Sequence, residues 1–148
     1  MTSKRLPSTP RAIAGGPRDE DDAFIALLIA AMAASGHVSA EEAARAHHII
    51  WSTRRFRHRS GEAVGRKIAR MREFIKHQGD SSVVRLATRR LTVRLRRAVF
   101  AVAADIVLVD GRMERAEGRY LRELAAGLGI EAATAKAIVN VMRIKNSI

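Results

Sequence analysis

The hydrophobic residues of this chain recur at helical spacing, and no stretch alternates apolar and polar residues as a strand would. One such set, with steps of four, three and four positions, consists of Val64, Ile68, Met71 and Ile75. Breaks rich in glycine and polar residues fall at 35–39, 58–62, 77–82, 110–114 and 127–131. The pattern predicts an all-α protein, a helical bundle of about six helices.

Two segments separated by 75 residues are similar to each other. They are "ALLIAAMAASGHVSAEEAARA" at 26–46 and "AVAADIVLVDGRMERAEGRYL" at 101–121. The alignment places Gly36 over Gly111 and Glu42 over Glu117, so each copy has an apolar helix, a glycine turn and an amphipathic helix. We therefore expect two related halves that pack with approximate two-fold internal symmetry.

The chain divides into an arm and one folded domain. Residues 1–18 hold all three prolines among Ser, Thr, Gly and basic residues, and they lack apolar periodicity. Such a segment cannot bury enough apolar surface to fold, so we predict a disordered arm at 1–18 and a helical domain at 19–148.

Composition excludes several classes of function. The chain has no cysteine, which rules out disulfides, thiolate metal sites and cysteine nucleophiles. It also has no Gly-rich phosphate loop, no nucleophile elbow and no histidines at metal-ligand spacing, so we predict no enzymatic activity. The longest apolar run, at 23–34, is shorter than the roughly 20 residues that span a bilayer, and acidic residues precede it where a signal peptide is basic. We expect a cytoplasmic protein without a transmembrane segment.

The second glycine turn, "VDGRMERAE" at 109–117, carries more carboxylates than a turn needs. In the first copy, Ser39 and Glu42 have the spacing of a capping box, which explains Glu42 without any ligand. In the second copy, acidic residues replace two serines and an alanine. The acidic residues of this copy are Asp105, Asp110, Glu114 and Glu117.

Two interpretations of these carboxylates remain open. The first is a hard-cation site formed by Asp110, Glu114 and Glu117, with Asp105 as a further ligand, because oxygen ligands suit Ca²⁺, Mg²⁺ or Mn²⁺. The second is that the same carboxylates pair with neighbouring arginines. Those arginines are Arg112, Arg115, Arg119 and Arg122.

At these residues the chain resembles the tellurite-resistance TerB-like family, an all-helical domain with two related halves. The resemblance rests on "ADIVLVDGRMERAEGRYLRELAAGLGI" at 104–130, with its helix, Asp-Gly turn, apolar residue two positions after the glycine and glutamate six positions after it. The segment "LLIAAMAASGHVSAEE" of the first half matches the same pattern more loosely. Together they cover the chain from about residue 20 to its end.

The resemblance implies a non-enzymatic stress-response protein. The family is associated with tellurite and chemical-stress resistance, has acidic residues proposed to bind metal, and is related to the N-terminal domain of a membrane-anchored J-domain co-chaperone. Carried over, this points to Asp110 and Glu117 first as metal ligands, and to a protein partner bound through the Asp-Gly turn. Ser35 stands where the family has an acidic residue before the glycine, and the chain has no His-Pro-Asp tripeptide of a J-domain.

The middle of the chain is strongly basic. Residues 54–97 contain fifteen Lys and Arg against three acidic residues, which equals the net charge of +12 of the whole chain. We predict that five of these arginines line two helical faces, where they suit nucleic acid without sequence specificity, an anionic membrane surface or an acidic partner protein. A solvated face without a ligand is the alternative. The predicted polyanion-binding residues are Arg85 and Arg89 on one face, with Arg90, Arg94 and Arg97 on the other.

Overall fold

The computed structural model describes residues 15–148, which form seven α-helices and no strand. This confirms the predicted all-α bundle. The helices are Glu20–Ala33 (α1), Ala40–Ser52 (α2), Gly61–Lys76 (α3), Asp80–Thr88 (α4), Val93–Val107 (α5), Arg115–Gly127 (α6) and Ala132–Lys145 (α7).

Most of the predicted arm, residues 1–14, lies outside the described residues. The last part of that segment contacts the helical domain: Pro17 is buried, and the backbone N–H of Arg18 donates to the carboxylate of Asp22 at 2.9 Å.

Helix α1 is the centre of the bundle. Every residue from Ala23 to Ala31 is buried, because α1 packs against α2, α3, α4, α5 and α6. A helix that is apolar on all sides is expected only where neighbours surround it, which explains the uninterrupted apolar run in the sequence. From α6, the buried hydroxyl of Tyr120 donates to the carbonyl of Leu27 at 2.9 Å and fixes the second half of the chain to this central helix.

The acidic start of α1 is buried against basic residues that come later in the chain. Asp22 is fully buried and accepts two hydrogen bonds from Arg70, at 2.8 and 2.9 Å, and one from Lys67 at 3.1 Å. Asp21 is buried beside Arg55 and Arg59. These ion pairs hold α3 and the α2–α3 connection against α1.

One predicted helix is two helices in the structure. The pattern predicted a continuous helix between the breaks at 77–82 and 110–114, but α4 ends at Thr88 and α5 begins at Val93. Thr92 is the N-cap of α5, and its hydroxyl oxygen accepts the N–H of Leu95 at 3.3 Å. A threonine at this position starts a new helix because it satisfies a backbone donor that the helix itself leaves free.

The internal repeat is confirmed in the backbone. Both ends of α6 lie 75 residues after the corresponding ends of α2. Gly36 and Gly111, which precede these helices, have φ values of 86° and 78°, in the left-handed region that glycine adopts without strain. The same turn is therefore built twice.

Candidate functional site

The acidic turn is held by its own carboxylates. The side chain of Asp110 accepts the N–H of Arg112 at 3.0 Å, and the side chain of Glu117 accepts the N–H of Glu114 at 2.8 Å, as in a capping box. Asp110 and Glu114 are exposed to solvent, whereas Glu117 is only 4% exposed. Glu117 and Asp105 are thus the two members of the predicted site that the fold buries.

Glu42, the counterpart of Glu117 in the first copy, is also buried, with 8% exposure. Its backbone N–H donates to the hydroxyl of Ser39 at 3.1 Å, which confirms one half of the predicted capping box, but its carboxylate does not accept the N–H of Ser39. However, Oε2 of Glu42 and Oε2 of Glu117 are both buried without a hydrogen-bonding partner in the described chain. Capping therefore does not account for the burial of this carboxylate oxygen in either glutamate.

The two glutamates lie in a common electrostatic environment. Burial raises the pKa of Glu42, and the negative charge of Glu117 raises it further. Burial also raises the pKa of Glu117, and the charges of Glu114 and Asp110 add to that increase. A cationic form of His37, whose Nε2 lies 3.9 Å from Oε1 of Glu114, would offset part of this negative charge. The negative charge of one half of the repeat thus acts on a buried glutamate of the other half.

Asp105 has other partners. Its carboxylate accepts hydrogen bonds from Arg45 at 3.1 and 3.2 Å, from Lys145 at 2.9 Å and from Asn146 at 2.8 Å. Burial raises the pKa of Asp105, but the hydrogen bonds from Asn146 and Lys145 and the charge of Arg45 hold it below its usual value. Asp105 joins α2 and the end of α7 to α5, and its oxygens are already engaged.

The arginines near the turn do not neutralise it. Arg112, Arg115, Arg119 and Arg122 form no ion pair with any acidic residue that the structure describes. Between residues 15 and 148 there is also no group of three or more His, Cys, Asp or Glu side chains placed to hold a metal ion. The acidic feature that remains is a pair of buried glutamates.

Glu42 is the residue that sequence reasoning missed. The predicted capping box explained Glu42 without a ligand, so only Glu117, the aligned residue of the second copy, was predicted as a metal ligand. The repeat alignment contained the signal, because two residues at equivalent positions of symmetric halves can meet near the pseudo-two-fold axis.

The predicted polyanion-binding arginines are all exposed, and none forms an ion pair within the described chain. The prediction that Arg90 shares a helical face with Arg94 and Arg97 was wrong, because the chain turns between α4 and α5 and Arg90 precedes the start of α5. We call these five residues the arginine surface: Arg85 on α4, Arg89 and Arg90 in the α4–α5 connection, and Arg94 and Arg97 on α5.

Several other basic residues of the middle region have internal partners. Arg55, Arg59, Lys67 and Arg70 pair with the acidic start of α1, and Arg96 donates to the carbonyls of Thr88 and Leu91 at 3.3 Å each. These residues are therefore less available to an external ligand than the arginine surface.

Comparisons with known proteins indicate the family of this chain. A family model described as Tellurite resistance protein TerB matches residues 21–140, which include both copies of the glycine turn. No curated protein and no solved structure matches the chain. Among residues 15–148, no helix has the length and apolar character needed to cross a bilayer.

Proposed function

Since this chain belongs to the tellurite-resistance TerB family, we propose that it is a non-enzymatic, cytoplasmic stress-response protein that binds a divalent cation through Glu42 and Glu117. The observation that carries this proposal is the pair of buried carboxylate oxygens, one on each glutamate, that lack a hydrogen-bonding partner. A buried charge without a partner is costly, and a cation between the two groups would offset that cost for both.

The chemistry of the pair favours a hard cation. Both glutamates offer only oxygen ligands, which suit Mg²⁺, Ca²⁺ or Mn²⁺. Mg²⁺ commonly binds through one or two carboxylates and keeps several waters, so two glutamates are a sufficient protein contribution. A partner protein would then contact the exposed part of the turn, where the bound cation changes the local charge.

Calorimetry and thermal unfolding test the proposal. We expect Mg²⁺, Ca²⁺ or Mn²⁺ to give a binding signal and to raise the melting temperature, because a ligand that binds only the folded state stabilises it. The variants Glu42→Gln and Glu117→Gln should each lose both effects. The matched control is Glu41→Gln, which removes the same charge from an exposed neighbour in the same helical turn.

The absence of a cation site would also give a measurable result. Without a cation, Glu117→Gln would relieve repulsion between two buried charges and stabilise the protein in metal-free buffer. A stabilised variant, together with an unchanged melting temperature of the parent in all three metal ions, would contradict the cation proposal.

The arginine surface supports a second candidate function, the binding of a polyanion such as nucleic acid or an anionic membrane surface. Five exposed arginines without internal partners can each contact a phosphate. We expect retention on heparin and similar affinity for two unrelated DNA duplexes, with steep weakening by salt. Arg94→Gln with Arg97→Gln should weaken binding more than Arg72→Gln with Arg112→Gln, which removes the same charge elsewhere. Equal effects of the two pairs would refute a localised site.

A further inference from the structure

An open groove of about 1000 Å³ lies between α6 and α7. Phe100 of α5 forms part of its lining, and most of the other lining side chains are short. Representative lining residues are Gly118, Leu121 and Ala126 on α6, and Ala133 and Ala137 on α7. This groove is on a different part of the surface from the arginine surface, and none of the five arginines lines it.

The groove exists because α7 is attached to the bundle along one face only. No residue of α7 is buried, and its partly buried side chains, such as Ile138 and Met142, pack on the core where α7 lies against α5. Ala133 and Ala137, which line the groove, are exposed, so this side of α7 lacks a covering neighbour. The exposed residues Val141 and Ile144 lie outside the groove lining.

The border of the groove is positively charged. Arg122, Lys136 and Arg143 line it, no acidic side chain does, and none of the three forms an ion pair in the described part of the chain. An occupant must therefore combine an apolar surface with negative charge.

The dimensions fit a helix. The lining residues of α6 extend from Gly118 to Ala126, about 12 Å along the helix axis, and those of α7 from Ala132 to Arg143, about 16 Å. These lengths correspond to two or three helical turns. The alanines and the glycine allow another helix to approach closely, since axial distances between packed helices depend on the side chains at the contact.

We propose that this groove binds an amphipathic helix of a partner protein whose apolar face is bordered by aspartate or glutamate. The apolar side chains of that helix, spaced at i, i+3, i+4 and i+7, would lie between α6 and α7, and its carboxylates would meet Arg122, Lys136 and Arg143. The groove lining includes neither Glu42 nor Glu117, and the interaction goes beyond the proposed function.

Positive charge argues against two other occupants of the groove, namely residues 1–14 of this chain and a second copy of it. Residues 1–14 contain Lys4, Arg5 and Arg11 and no acidic residue, so they have the same sign as the border of the groove. A second copy that placed the same side of α7 in this groove would bring its own Lys136 and Arg143 towards the positive border.

Fluorescence anisotropy with labelled peptides tests the proposal. The probe is a helical peptide of about 14 residues, or nearly four turns, with leucines at i, i+3, i+4 and i+7 and glutamates beside them. The matched control peptide has lysines in place of the glutamates. We expect the glutamate peptide to bind at least about tenfold more tightly than the lysine peptide.

Variants locate the binding. Ala126→Trp fills the groove from an exposed position and should weaken the glutamate peptide about tenfold or more without loss of helicity in circular dichroism. Lys136→Glu with Arg143→Glu should reverse the preference in favour of the lysine peptide. Arg54→Glu with Arg72→Glu makes the same change of net charge at two exposed residues outside both the groove and the arginine surface, and should leave the preference intact.

Three outcomes would overturn the proposal. They are unchanged binding in the Ala126→Trp variant, reversal of the preference by the Arg54→Glu and Arg72→Glu pair, and binding of palmitate in the groove by a protein that binds neither peptide. The last result would identify an anionic amphiphile as the occupant.

Discussion

At the scale of single residues, Glu42 and Glu117 differ from the other buried acidic residues of the described chain. Asp21, Asp22 and Asp105 each contact basic side chains. Glu42 and Glu117 instead each keep an oxygen without a partner, and each has a raised pKa. Basic side chains of the protein therefore pair with the three aspartates, whereas each of the two glutamates keeps an oxygen that a ligand can contact.

The raised pKa values predict a pH dependence of stability. Between the ordinary glutamate pKa, about 4.5, and the higher pKa of the folded state, the folded protein binds more protons than the unfolded chain. The free energy of unfolding must therefore fall as pH rises through this window. In EDTA, Glu42→Gln with Glu117→Gln should remove this part of the slope in urea unfolding measured at a series of pH values. An identical slope in parent and variant would contradict the prediction.

At the scale of helices, close packing between α4 and α6 depends on a glycine. A methyl group at Gly127 would lie 2.3 Å from Cγ1 of Val84, whereas a methyl group at Gly65 in α3 meets nothing within 4 Å. We expect Gly127→Ala to destabilise the protein by about 1–3 kcal/mol through overpacking. Gly65→Ala should stabilise it by about 0.5–1 kcal/mol, since alanine is the better helix former. Chemical unfolding measures both, and equal effects would refute the proposed contact.

The division between α4 and α5 gives a second prediction at this scale. Thr92 begins α5 by accepting the N–H of Leu95. Thr92→Ala should therefore lower the free energy of unfolding by about 1 kcal/mol, while Thr92→Ser keeps the hydroxyl and should change it little. If both variants unfold at the same denaturant concentration, the hydroxyl does not stabilise the start of α5.

At the scale of the whole molecule, the buried carboxylate of Asp22 connects distant parts of the chain. Burial raises its pKa, but hydrogen bonds from Arg70, the backbone of Arg18 and Lys67 bring it below the usual value. We expect Asp22→Asn to cost about 3 kcal/mol, because it leaves two cations beside a buried neutral group. The control Glu62→Gln, which breaks an exposed pair with Arg66, should cost less than about 1 kcal/mol. Urea unfolding of both variants would show whether burial causes the difference.

The sequence by itself determined the helical class, the duplicated halves and the positions of both glycine turns. These features depend on local properties, namely the spacing of apolar residues along a helix and the backbone freedom of glycine at Gly36 and Gly111. The break at Thr92 was also local, but the apolar pattern continues across it and concealed the cap.

Only the tertiary structure decided which charges have partners. Asp105 meets Arg45, a residue 60 positions away, and Asp22 meets Arg70, 48 positions away, so neither pair follows from neighbouring residues. The same packing brings Glu42 near Glu117, and it leaves the arginine surface and the α6–α7 groove exposed. Pairing of this kind depends on how helices pack across the bundle, and the periodicity of one helix does not contain that information.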